Sequence, residues 1–125
     1  MRVARTQRRR FREVLEPWDL SPHQARALMV ITGHDGVRLS DLAERLRIAP
    51  RSATEVADAL QERGLVERSP DPADRRAVLL RPTDGGRRVR DEIAAARAAD
   101  AAELYGRLSP DDRATLARIL RSLAD

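Results

Sequence analysis

Between residues 39 and 60 the apolar positions repeat twice at the spacing of a helix. Leu39, Leu42, Ala43 and Leu46 fall at i, i+3, i+4 and i+7, and Ala53, Val56, Ala57 and Leu60 repeat the interval. Each set lines one side of an α-helix, so the pattern predicts two amphipathic helices facing one core. Only Arg47, Ile48, Ala49 and Pro50 stand between them, which leaves room for a tight corner and little else. Two helices joined so closely form a helix-turn-helix, whose second helix can enter a DNA major groove.

The residues beyond the pair extend this frame. Pro50 suits the first turn of the second helix and Gly64 suits a left-handed cap after Arg63, which predicts a helix over 50–63. Leu65 to Arg68 and Ala77 to Leu80 read as strands, with turn chemistry in the intervening Ser69-Pro70-Asp71-Pro72-Ala73-Asp74. A hairpin therefore follows, its tip carrying Asp74, Arg75 and Arg76, and a helix-turn-helix followed by such a hairpin is a winged helix.

Upstream, a helix over 5–16 is expected, with Phe11, Val14 and Leu15 inward, a solvated face of Arg5, Arg8, Arg9 and Arg12, and an end at Pro17. Ser21-Pro22-His23-Gln24 is a helix start with a capping box; Ala25, Leu28, Met29 and Thr32 form its inward stripe. Val37 to Leu39 predicts a short strand, and Ser40 is placed to cap the first helix of the pair. Downstream, Thr83 caps a helix over 84–107 containing Val89, Ile93, Ala96 and Leu104. Ser109-Pro110-Asp111-Asp112 opens a last helix with acidic residues in its positive first turn. Its apolar face of Leu116, Ile119, Leu120 and Leu123 predicts that the two terminal helices pack together and against a second subunit. The fold class is mainly α with a small β-hairpin wing. The organisation expected is one domain over 1–125, with a winged helix core at 20–86 and dimerisation helices at 1–19 and 87–125.

Composition narrows the chemistry. In 125 residues aromatics amount to 2%, so the core is built from Leu, Val, Ile and Ala, and a partner subunit would add stability. The net charge is +4, and all the basic residues are Arg, with no Lys. Arginine stays charged and presents a planar fork suited to phosphates and guanine edges. Cysteine is absent, which excludes disulfides and thiolate metal sites. No apolar run reaches a membrane span and no signal peptide is visible, so a cytoplasmic protein is expected. The histidines His23 and His34 lack metal-ligand spacing, and no phosphate-binding glycine motif or nucleophile elbow is present. No catalytic residue, metal or cofactor is expected.

The order of elements resembles the MarR family of bacterial transcription regulators. The resemblance is close over 20–86 and looser in the flanking helices. LSDLAERL, LQERGLVER, and Asp74-Arg75-Arg76 followed by Thr83-Asp84-Gly85-Gly86 carry it together. It implies a homodimer on a pseudo-palindromic operator in double-stranded DNA, each recognition helix in the major groove and each wing in the adjoining minor groove. It also implies a small, often aromatic or anionic effector between the dimerisation helices and the winged helix. Two departures stand out. Ala49 occupies the recognition-helix cap where Ser or Thr is common, and Glu55 stands where a basic or polar residue is frequent.

The candidate DNA-binding residues are Pro50, Arg51, Ser52, Thr54, Glu55, Asp74, Arg75 and Arg76. Arg51, Thr54, Glu55 and Asp58 lie opposite the core stripe at i, i+3, i+4 and i+7, with Ser52 beside them. Arg51 could fork onto guanine or hold a phosphate, and the sequence leaves both open. Asp58 is expected to pair with a neighbouring arginine. Arg76, held extended by Asp74, would enter a narrow minor groove, with Arg75 on phosphate. Trp18 and His23 flank the implied effector cleft as candidate ligand contacts; Trp18 also suits a core role, and Tyr105 suits packing near the dimer layer. The alternative reading is a winged helix used for protein contact without specific DNA binding.

Overall fold

The computed structural model describes residues 2–124. The chain runs α1 (Arg2–Leu15), a 3-10 turn (Glu16–Trp18), α2 (Pro22–Thr32), β1 (Val37–Arg38), α3 (Leu39–Leu46) and α4 (Pro50–Glu62). Then follow β2 (Val66–Asp71), β3 (Asp74–Pro82), α5 (Asp84–Tyr105) and α6 (Pro110–Ala124). The strands form one antiparallel sheet in the order β1-β3-β2.

The core is where the apolar stripes of α2, α3 and α4 converge. Leu28, Ile31, Leu42, Leu60 and Leu80 are fully buried, joined by Leu15 from α1 and Ile93 from α5. In α2 the buried set is Ala25, Ala27, Leu28 and Ile31, whereas Met29 and Thr32, expected inward, are only half-buried. The helix is packed by α1, α3, α4 and α5, so it buries more than one side and the single-stripe expectation was too narrow. Its start follows the expected chemistry: Ser21 Oγ accepts from Gln24 N, and Gln24 Oε1 accepts from Ser21 N.

Ser40 does not cap α3. The cap position is Arg38, with no side-chain cap, and Ser40 lies inside the first turn. The connection to α4 turns at Arg47, left-handed at φ 54°, after which Ile48 N donates to the Ala43 carbonyl.

The wing is longer than its sequence suggested. Ser69, Pro70 and Asp71 are strand residues, and the loop proper is Pro72-Ala73. Proline is accommodated because β2 is an edge strand and the ladder is interrupted by a bulge between Pro70 and Asp71. The terminal helices also differ from expectation. α1 packs on α5 and α2, and α6 makes no comparable contact with any element among the described residues. No residue of α6 is buried, and Ile119, Leu120 and Leu123 are 42%, 50% and 78% exposed. Among the described residues no helix is long and apolar enough to cross a membrane.

Candidate nucleic-acid interface

The recognition helix is fixed from its C-terminal end. Gly64 takes φ +72° to leave α4, and its carbonyl accepts from Thr83 Oγ1 at 2.6 Å. The same hydroxyl accepts from Gly86 N at 3.0 Å, capping α5. Thr83 therefore ties the end of α4 to the start of α5. Gly86 is required here, because a Cβ would stand 1.9 Å from the Leu65 carbonyl oxygen. Arg68 of β2 donates to Asp58 Oδ1 at 2.6 Å and to Gln61 Oε1, joining α4 to the wing. The expected arginine partner of Asp58 is thus Arg68.

With one face of α4 committed to Ala53, Ala57 and Leu60, the opposite face presents Arg51, Thr54 and Glu55 to solvent. Arg51 Nε lies 3.7 Å from Glu55 Oε1 with both side chains open to solvent, a geometry that leaves both able to take other partners. Thr54 Oγ1 donates back to the Pro50 carbonyl at 3.1 Å. Pro50 has no N–H and Ala49 supplies no side-chain cap, so the first-turn amides at Arg51 and Ser52 remain open donors at the positive helix end. Ser52 is half-buried and, with Glu55, lines a groove that His23 closes from the start of α2.

In the wing, Arg75 and Arg76 are not at the loop tip. Pro70 pairs with Val78 and Asp71 with Asp74, so Arg75, Arg76 and Ala77 form a bulge of β3 with nothing opposite. A bulge re-aims side chains away from the flat strand. Asp74 holds the backbone rather than the guanidinium, since its Oδ1 accepts from Arg76 N at 3.0 Å. Neither Arg75 nor Arg76 has an acidic partner among the described residues. Asp71, read from sequence only as a turn residue, is the buried anchor of the wing. It pairs with Arg38 at 2.5 Å and accepts from Ala73 N at 2.9 Å. The amide donor first, then the guanidinium, hold its carboxyl below the usual carboxylate range.

A second cavity lies between α1, α2 and α5, about 830 Å³ in volume. Arg8, Arg12, Arg26 and Arg97 line it together with Phe11 and Tyr105. Arg10, also at its wall, is engaged by Asp100 through two guanidinium contacts of 3.2 and 2.7 Å, and Arg97 sits 4.7 Å over the Phe11 ring. His23 lines both this cavity and the groove beside α4. Trp18 lines neither; it packs against the core and its indole Nε1 donates to Glu92 Oε2 at 2.9 Å. The partial burial of Trp18 against the core matches the core role.

The MarR family model matches residues 20–78, the helix-turn-helix and most of the wing. The transcriptional repressor MdtR of Bacillus subtilis is 30% identical over 112 residues, covering 90% of this chain and 72% of that protein. The chain belongs to the MarR family. Apo MarR from E. coli superposes with a TM-score of 0.87 at 29% identity, covering 98% of this chain and 92% of that one. BpsR of Bordetella bronchiseptica gives 0.75 at 26% identity, covering 99% and 89%, and its structure concerns regulation of DNA binding by 6-hydroxynicotinic acid. As a MarR-family member the chain is a DNA-binding transcriptional regulator with a winged-helix fold, and not an enzyme.

Proposed function

We propose that this regulator is a ligand-responsive repressor that binds a pseudo-palindromic operator as a homodimer in the cytoplasm. The observation that carries the reading is the pairing of two exposed sets. Arg51, Thr54 and Glu55 stand clear of the chain on α4, and Arg75 and Arg76 stand clear on the bulged wing. α4 enters the major groove with Pro50 shaping its first turn and the Arg51 and Ser52 amides toward phosphate. Arg51, Ser52, Thr54 and Glu55 meet base edges or backbone. Arg76 enters the minor groove with its backbone set by Asp74, and Arg75 holds phosphate.

The apolar face that Ile119, Leu120 and Leu123 leave uncovered on α6 supports the dimer. The effector is a small aromatic anion held in the arginine-rich cavity, with His23 at the wall it shares with the α4 groove. The regulation of BpsR by an aromatic acid supports that class. Selection from a random duplex pool tests the reading. It should return an inverted repeat with half-sites about one helical turn apart, roughly 10 bp centre to centre. Recovery of single, non-palindromic sites would count against it.

A further inference from the structure

The last turn of the recognition helix reaches across to the other end of the chain. Arg63 closes α4, and its guanidinium donates through Nη1 to the Asp19 carbonyl and through Nη2 to the Trp18 carbonyl. Those two carbonyls belong to the turn that joins α1 to α2. The turn is itself constrained, with Asp19 left-handed at φ 51° and its N–H on the Glu16 carbonyl. Through its indole the same Trp18 is bonded to Glu92 of α5. The end of α4 and the middle of α5 are therefore both bonded to Trp18 of the α1–α2 turn, the first through its backbone carbonyl and the second through its indole.

We propose that Arg63 is a positioning residue that sets the angle of α4 against the terminal helices, and so the half-site spacing the dimer accepts. This rests on the dimeric, palindromic reading above. A planar fork with two donors on two successive carbonyls restrains direction as well as distance, which a single ammonium on a flexible stem does not. Arg68, bonded to Asp58 and Gln61, holds the same half of α4 from the wing side. The groove-facing half, from Arg51 to Glu55, has no comparable side-chain tie to another element among the described residues. α4 has 13 residues, which makes it a lever about 20 Å long whose far end shifts by about 1.7 Å for each 5° of swing. A shift of that size breaks hydrogen bonds to base edges.

A rival account has Arg63 simply holding a phosphate, and salt dependence separates the two. The probe is the duplex that wild-type protein selects from a random pool, together with forms having one base pair added or removed between the half-sites. Wild type, Arg63→Lys and Arg63→Met are compared over a salt series, with far-UV circular dichroism as a check on folding. Wild type should prefer its own spacing by about tenfold or more, the scale of one disrupted base contact. Both variants should bind the native spacing about tenfold more weakly and lose the preference, with the salt slope unchanged. Should Arg63→Met fail to fold, Arg63→Lys decides alone. Variants that keep the wild-type spacing preference overturn the proposal. So does an Arg63→Met slope lowered by about 0.9 with Arg63→Lys behaving as wild type, because that identifies a phosphate contact. A wild type indifferent to spacing overturns the dimer reading and this inference with it.

Discussion

Arg38, at the junction of β1 and α3, closes on the carboxylate of Asp71 33 residues later, with its Nε at 3.0 Å and its Nη2 at 2.5 Å. The second carboxylate oxygen takes the Ala73 N–H, so the loop is bound to the strand farthest from it in the sheet. A hairpin standing alone would sample many orientations. This one is tethered by an ion pair whose carboxylate is buried and whose guanidinium is partly open to solvent, which reduces the ordering left for DNA to impose.

The tether should make wing order depend on acid. Asp71 has its pKa lowered in the folded chain by the Ala73 amide and by Arg38. A group of that kind stabilises the fold above its unfolded value, and the stabilisation is lost as pH falls through the folded value. Amide protection at the end of β2, taken relative to the intrinsic exchange rate at each pH, should therefore be high at neutral pH and fall below the ordinary carboxylate range. In Asp71→Asn the protection should already be low at neutral pH and vary little with acid. Equal protection in the two proteins at pH 7 would show that the wing is held by other contacts.

Gly86→Ala should destabilise the chain by about 2–3 kcal/mol, the upper part of the range for overpacking a tight contact. The added methyl meets a backbone carbonyl, that of Leu65, which also accepts the Thr83 N–H. Gly85→Ala is the control, since its Cβ finds only ordinary contacts at 3.6 Å or more. Chemical unfolding of the two variants should differ, and equal midpoints would show that α5 can move away from Leu65 without cost.

The helix-turn-helix and the caps at Ser21, Thr83 and Gly64 were legible because helical period and capping are local. The burial of Ala27 and Ile31 was not, since a helix surrounded by four others buries residues outside any single stripe. The hairpin was underestimated because Ser69 and Pro70 carry turn chemistry, and only the sheet order shows that an edge strand accepts them. Asp74 was expected to hold the Arg76 guanidinium, but its bond goes to the Arg76 amide, a partner that sequence cannot distinguish from a guanidinium. Arg38, Arg63 and Arg68 find partners 33, 44 and 10 residues away. In a chain whose every cation is arginine, nothing local marks those three.

Arg76→Ala should lower the salt slope of operator binding by about 0.9 if its guanidinium displaces counterions in the minor groove. Asp74→Asn should weaken binding without lowering that slope, because it loosens the bulge and keeps the Arg76 guanidinium. A salt series with the selected duplex distinguishes them. Identical slopes for wild type and Arg76→Ala would remove Arg76 from the interface.

The exposed face of α6 makes a separable prediction. Leu120→Asp with Leu123→Asp replaces no buried residue, so each subunit should keep its circular dichroism and most of its thermal stability. Sedimentation should show a monomer, and operator affinity should fall by about 10²-fold or more with the loss of paired half-sites. A well-formed dimer of this variant would place the subunit contact elsewhere.

Glu55 carries the least conventional expectation. Its carboxylate stands on the exposed side of α4, where, with α4 in the major groove as proposed, it would repel phosphate in every sequence alike. The neighbouring Arg51 is 3.7 Å away and both side chains are open to solvent, a pair too loose to occupy the carboxylate. It therefore remains able to accept from the exocyclic amino group of cytosine, a direct contact that discriminates by about 1–3 kcal/mol. Glu55→Ala should then tighten binding to generic duplex and flatten the preference at one base pair in each half-site. If Glu55 instead acts by orienting Arg51, the same change should weaken operator binding and leave the preference for cytosine intact. Affinities for duplexes altered one position at a time, with and without Glu55, separate these outcomes. Unchanged preference at every position would remove Glu55 from base recognition.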